Sequence, residues 1–159
     1  MFDRVLGIPA HPLYIHAAVV LVPLLALTAV LYAVWPGCRR HVRWPLVAFA
    51  LASPGAVFFA KESGEQFSTN RAFQSAQVKA LVAQHEEYAD ALFLWILALA
   101  VVALVLAFLV PVGGSAARIK APVAVHWVAS GLTVVLAVVS AYYVYKTGDS
   151  GAHMAWEGF

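Results

Sequence analysis

Three histidines are the side chains of this sequence best suited to chemistry, and all of them lie close to the ends of long apolar segments. His11 and His16 stand five residues apart where the first segment begins, and His85 stands near the start of another. Imidazole nitrogens bind haem iron and transition metals, and helix-bundle cores commonly hold such groups. Ionisable side chains in lipid are costly and usually face a bundle interior or a water-filled cavity. These residues predict a site near one edge of a membrane.

The leading hypothesis is noncovalent binding of haem b through His16 and His85, which belong to different predicted helices. The spacing of apolar residues around His85 places it on the apolar face of its helix. Cys38 is the single cysteine and no Cys-x-x-Cys-His motif occurs, which excludes an internal disulfide and a covalently attached c-type haem. A haem at this level predicts electron transfer near the outer membrane face.

Two other hypotheses remain open. A transition metal such as copper, zinc or iron suits a set of imidazole and carboxylate ligands, here His11, His16, Glu65 and His85. Alternatively, the histidines only fix helix packing, in a non-catalytic accessory subunit of a membrane complex. A nucleophilic triad, a phosphate loop and a zinc-protease motif are all missing from the sequence, which disfavours hydrolase chemistry. Whether the protein is an enzyme stays open, and a net charge of +2 gives no nucleic-acid signature.

Composition indicates the elements that must position these residues. Hydrophobic residues make up 63% of the 159 residues and charged residues 11%, against about 25% charged in soluble domains. Four apolar runs approach the roughly 20 residues that a helix needs to cross a bilayer. They predict helices at about 12–35, 44–63, 75–111 and 122–145, in one domain of residues 1–159. The predicted fold is an all-α, antiparallel four-helix transmembrane bundle with one polar, partly helical outer segment between helices two and three.

Charge in the loops predicts the orientation of this bundle in the lipid bilayer. The loops at 38–43 and 112–121 contain basic residues and no acid, and such loops stay in the cytoplasm. Both termini are then outside. Pro12 to His16 and Pro122 to His126 repeat one spacing, but they fall at opposite edges, so His16 and His126 are not expected to share a ligand. A hydrogen bond to a carbonyl is the simplest expectation for His126.

Three motifs together resemble a family of bacterial four-helix membrane proteins that is catalogued as a domain of unknown function and is frequent in actinobacteria. They are a His-Pro-x-x-x-His opening, Ser-Gly-Glu after helix two, and a C-terminal Gly-x-Ser-Gly-Ala-x-x-x-Trp, found here at 11–16, 63–65 and 148–156.

Family relatives are sometimes joined to a Rieske iron–sulfur domain. The resemblance therefore implies redox work at the bacterial inner membrane, with a redox partner or a respiratory complex. Relatives often have His at the position of Asp149 and Lys at that of His153, which argues against a functional role for His153. The oligomeric state, a homo-oligomer included, is left open.

Overall fold

The structure, a computed structural model, describes residues 4–5, 8–68, 75–110, 112 and 123–157. Two short strand segments, β1 (Arg4–Val5) and β2 (Ile8–Pro9), pair antiparallel ahead of the first helix. The long helices are α1 (Ala10–Val34), α2 (Arg39–Ser68), α3 (Ala76–Leu109) and α4 (Val123–Glu157), and a 3₁₀ turn (Pro36–Cys38) joins α1 to α2. All four are long and apolar enough to cross a membrane. The predicted four-helix architecture is confirmed.

The helices pack as a ring of four. Both α1 and α3 pack extensively against α2 and α4, whereas α1 and α3 touch each other little, so they lie on a diagonal. The starts of α1 and α3 therefore share one end of the bundle with the last turns of α2 and α4. We call this the histidine end, after His11 and His85, and we call the opposite end, with Arg39, Arg40 and Arg43, the basic end.

Two helices are longer than the sequence predicted. Helix α2 runs from Arg39 to Ser68, through Pro45 and Pro54, because a membrane helix tolerates the loss of single backbone hydrogen bonds at proline. Helix α4 continues to Glu157, whereas the fourth apolar run predicted its end near residue 145. The start of α3 agrees with the prediction, since the Ser75 side chain accepts a hydrogen bond from the backbone N–H of Val78 at 3.3 Å.

The surface of the bundle carries many large apolar side chains, as the core does. Val22, Leu25 and Ile96 are completely buried between the helices. Large apolar side chains also point outward, and Val128 and Leu51 are 71% and 67% exposed. An apolar exterior of this extent is unfavourable in water and favourable in hydrocarbon. The four helices and their outer surface together indicate a protein of the lipid bilayer.

One buried tyrosine ties two helices together near the basic end. The Tyr32 side chain is completely buried. Its hydroxyl donates to the carbonyl oxygen of Val110 at 2.9 Å and approaches that of Ala107 at 3.4 Å. These carbonyls lie at the end of α3, where no further turn of helix satisfies them. The hydroxyl thus joins the last turns of α1 to the last turn of α3.

Removing that hydroxyl should destabilise the bundle. We expect Tyr32→Phe to lower the free energy of unfolding by about 1–2 kcal/mol, because a buried carbonyl loses its donor. Unfolding in mild detergent, followed by circular dichroism, measures the change. Tyr142→Phe is the matched control, since Tyr142 is 52% exposed and should change stability by less than about 0.5 kcal/mol. Equal losses in both variants would contradict the interpretation.

Candidate functional site

A cavity of about 700 Å³ opens between the four helices at the histidine end. This volume is typical of sites for cofactors and drug-sized ligands, which span about 300–1,000 Å³. Residues from every helix line the cavity, and its walls are mainly apolar. Much of the space comes from small residues on all four helices, among them Ala18, Gly64, Ala89, Gly148 and Gly151. His11 and His85, after which this end is named, both line it.

His11 is the second residue of α1 and is held by the end of α2. Its Nδ1 atom lies 3.0 Å from the carbonyl oxygen of Ala60 and 3.1 Å from the hydroxyl oxygen of Ser63. A carbonyl only accepts, so Nδ1 carries the proton and donates. The Ser63 hydroxyl donates in turn to Ala60 at 2.9 Å. In the neutral ring, the lone pair is therefore on Nε2.

His85 is held in the same way by the end of α4. Its Nδ1 atom lies 2.9 Å from the hydroxyl oxygen of Ser150. That hydroxyl donates to the carbonyl oxygen of Thr147 at 3.1 Å, so it accepts the proton of Nδ1. The neutral imidazole of His85 consequently has the same tautomer as that of His11, with its lone pair on Nε2. Both rings line the same cavity.

A glycine follows each of these serines and lets the imidazole approach the helix. A Cβ atom added at Gly64 would lie 2.9 Å from Cε1 of His11, and one added at Gly151 would lie 3.3 Å from Cε1 of His85. Each histidine thus has a bracket, defined as the Ser-Gly pair and the carbonyl three residues before the serine. The first bracket is on α2 and the second on α4, so the hairpin α1–α2 and the hairpin α3–α4 repeat one arrangement.

His16 does not take part in this arrangement, and the structure does not bring it together with His85 as the sequence predicted. The side chain of His16 is exposed, its Nδ1 bonds to the carbonyl oxygen of Pro12, and it does not line the cavity. Five residues advance an α-helix by about 500°, which leaves His11 and His16 roughly 140° apart around the axis. Only one of the two can face the bundle interior, and that one is His11.

The predicted carboxylate ligand, Glu65, is engaged in an ion pair at the rim of the cavity. The Lys61 ammonium group lies 2.6 Å from the Glu65 carboxylate and 3.3 Å from that of Asp90. Lys61, Glu65 and Glu86 line the rim. Within the described ranges, no three or more His, Cys, Asp or Glu side chains gather closely enough to hold a metal ion. The four ligands of the metal hypothesis are therefore not brought together as one group.

The remaining histidines do not line the cavity. His126 is at the basic end, 3.3 Å from the Arg39 guanidinium, and so it is separate from the cavity, as its position in the sequence predicted. His41 accepts a hydrogen bond from Arg40 at 3.2 Å. His153 is exposed on α4 beside Asp149, four residues earlier.

Sequence reasoning missed the brackets, although their signal is present in the chain. Ser63-Gly64 and Ser150-Gly151 are both quoted above as motifs, but their equivalence becomes visible only when each is paired with a histidine on the preceding helix. The spacing that did stand out, Pro12 to His16 and Pro122 to His126, does not correspond to a shared structural role.

Comparisons with known proteins add no relative. No family model, curated protein or solved structure matches this chain. The resemblance drawn from the three motifs stays a prediction, and the interpretation of the site depends on its geometry.

Replacing the two bracket glycines by alanine should show whether the imidazoles pack closely against the helices. Close packing opposes the gain in stability that alanine gives through its higher helix propensity. Alanine in place of a helical glycine gains about 1 kcal/mol where space permits. A Cβ at Gly148 meets nothing within 4 Å, so Gly148→Ala should raise stability. Gly151→Ala should gain less, and Gly64→Ala should lose stability, because its Cβ overlaps the His11 ring. Thermal unfolding in detergent gives the order, and equal gains at all three positions would contradict close packing of the imidazoles.

Proposed function

We propose that this protein is a membrane redox protein that binds haem b noncovalently in the cavity, with His11 and His85 as axial ligands, and transfers electrons near the histidine end. The observation that carries the proposal is the duplicated bracket. Histidines that bind metals characteristically donate their other ring N–H to a carbonyl or another acceptor. Here both imidazoles do so through Nδ1, with the lone pair on Nε2.

The chemistry of the cavity fits a porphyrin. Its apolar walls favour a flat hydrophobic ligand and exclude water. Haem b also carries two carboxylates, and Lys61 is the one lysine or arginine among the described residues that line the cavity. Bound haem supplies one-electron chemistry at iron, while the chain orients the ligand nitrogens and keeps the surroundings dry. The repeated bracket supplies two equivalent imidazoles from opposite helix pairs, which suits axial ligation from two sides.

The proposal includes a location and an orientation. The basic end carries the short arginine-rich connection at residues 38–43, so the positive-inside rule assigns it to the cytoplasm. The histidine end and both termini then face outward across a bacterial inner membrane. An electron carrier of this kind requires a redox partner, such as a respiratory complex, at the outer face.

Visible spectra test the proposal directly. The protein is purified in mild detergent after expression with haem supply, and spectra are recorded before and after dithionite, with iron measured in the same sample. We expect a Soret band that sharpens and shifts on reduction, with close to one iron per chain. His11→Ala and His85→Ala should each abolish the six-coordinate spectrum, because each removes one axial ligand.

His16→Ala is the matched control, since His16 lies on the same helix but is exposed. Its spectrum should be that of the wild type. A colourless sample that carries zinc or copper, and loses it in His11→Ala and Glu65→Ala, would replace haem with the transition-metal hypothesis. A colourless, metal-free sample that copurifies with a stable partner would favour the accessory subunit. Loss of haem in His16→Ala but not in His11→Ala would contradict the assigned ligands.

The brackets should also tune the reduction potential. A hydrogen bond accepted from Nδ1–H makes the imidazole a stronger donor to iron and favours the oxidised state. Ser150→Ala should therefore raise the potential, by up to about 60 mV if the change in relative affinity approaches tenfold. Ser63→Ala should raise it less, since the Ala60 carbonyl still accepts from His11. Redox titration measures both, and an unchanged or lowered potential in Ser150→Ala would contradict the role of the bracket.

A further inference from the structure

The basic end concentrates positive charge without any acid in the nearby sequence. No Asp or Glu occurs between residues 4 and 61 or between residues 91 and 148. Arg39, Arg40 and Arg43 all fall in the first turns of α2. A buried charge normally has a counter-ion or a full set of hydrogen bonds. The one arginine of this group that is buried, Arg39, therefore depends on partners other than a neighbouring acid.

Arg39 is buried, with 7% of its surface exposed. Its Nε atom donates to the carbonyl oxygen of Tyr32 at 2.9 Å, and Nη2 donates to that of Ala33 at 3.1 Å. Its guanidinium also lies over the Tyr32 ring, 5.6 Å from the centroid. Arg39 thus caps the end of α1, but a helix end offers only about half an elementary charge. No carboxylate of the described residues pairs with Arg39, so its charge is incompletely balanced.

The neighbour of Arg39 on α4 adds a donor that has no acceptor. His126 Nε2 lies 3.3 Å from Nη2 of Arg39, and since arginine only donates, Nε2 must accept. The proton of the neutral ring is then on Nδ1. That atom is buried and has no hydrogen-bond partner, and the same holds for Nε of Arg43. Buried polar groups normally have hydrogen-bond partners. The two groups without one are both N–H donors, and each lies next to or within a positively charged guanidinium.

We propose that the basic end binds a phosphate group near the start of α4, at the Nδ1–H of His126 and within the electrostatic field of the Arg39 guanidinium. A phosphate oxygen supplies both missing features, a negative charge and a hydrogen-bond acceptor, and arginine is well suited to it. The group is the headgroup phosphate of an anionic lipid or free phosphate. This site is at the opposite end of the bundle from the cavity and does not depend on the function proposed there.

The test is a ligand titration of the purified protein in a maltoside detergent, which contains no phosphate. Thermal stability is measured against phosphatidylglycerol, diacylglycerol as the phosphate-free lipid, and inorganic phosphate, because a ligand of the folded state raises the unfolding temperature in proportion to its occupancy. We expect phosphatidylglycerol or inorganic phosphate to stabilise the wild type, and diacylglycerol to have no effect. Stabilisation by phosphatidylglycerol alone identifies a lipid headgroup, and stabilisation by inorganic phosphate identifies the free ion.

His126→Leu is the deciding variant, because it removes the Nδ1–H donor and leaves the charge of Arg39 in place. It should weaken phosphate-dependent stabilisation about tenfold or more in ligand concentration. Arg39→Gln should do the same, but it also removes the cap of α1. Arg40→Gln is the control of equal charge, since Arg40 is exposed and should shift the titration less than about threefold. Wild-type titration in His126→Leu, an equal loss in Arg40→Gln, or equal stabilisation by diacylglycerol would overturn the proposal.

Discussion

The hydrogen bond that each imidazole donates to its bracket, to Ala60 and Ser63 for His11 and to Ser150 for His85, is the interaction on which the histidine end depends. Without it, a histidine on an apolar helix face would leave a ring N–H unpaired next to hydrocarbon, which is costly. With it, the serine passes its own proton to a carbonyl of the last helical turn, so every group in the chain of donors is satisfied. The imidazole is then fixed in one tautomer and one orientation at the edge of the cavity.

The glycines complete this arrangement because they determine how close the rings come to the helices. Gly64 in α2 and Gly151 in α4 favour the helix less than alanine would. Because they have no Cβ atom, the histidine rings can lie against the helix backbone. The other small residues that line the cavity leave space in the interior instead of filling it. A membrane bundle without a ligand usually uses such residues to bring helices together. Their use here to enclose space, with two oriented imidazoles at its wall, distinguishes this end from ordinary helix packing.

The four-helix fold could be predicted from the sequence, because hydropathy and loop charge depend on local composition. The number of helices follows from four apolar runs, and the cap at Ser75 follows from a known preference. The extension of α4 was missed because Gly148 and Gly151 resemble loop residues until their packing partners are known. The choice between His11 and His16 required the phase of α1 around its axis, which a uniformly apolar helix does not reveal. Arg39 looked like a loop residue, and only the tertiary structure shows that it is buried and caps α1.

The two ends of the bundle also differ in where their polar contacts lie. At the basic end, Tyr32 bonds to the end of α3, and Arg39 links the carbonyls of α1 to α4, so these contacts join the helices close to the core. At the histidine end, the interior is open space. The contacts there run around that space, from His11 to α2, from His85 to α4, and from Lys61 of α2 to Asp90 of α3. The bundle is therefore closed at its centre at one end and closed only around its edge at the other.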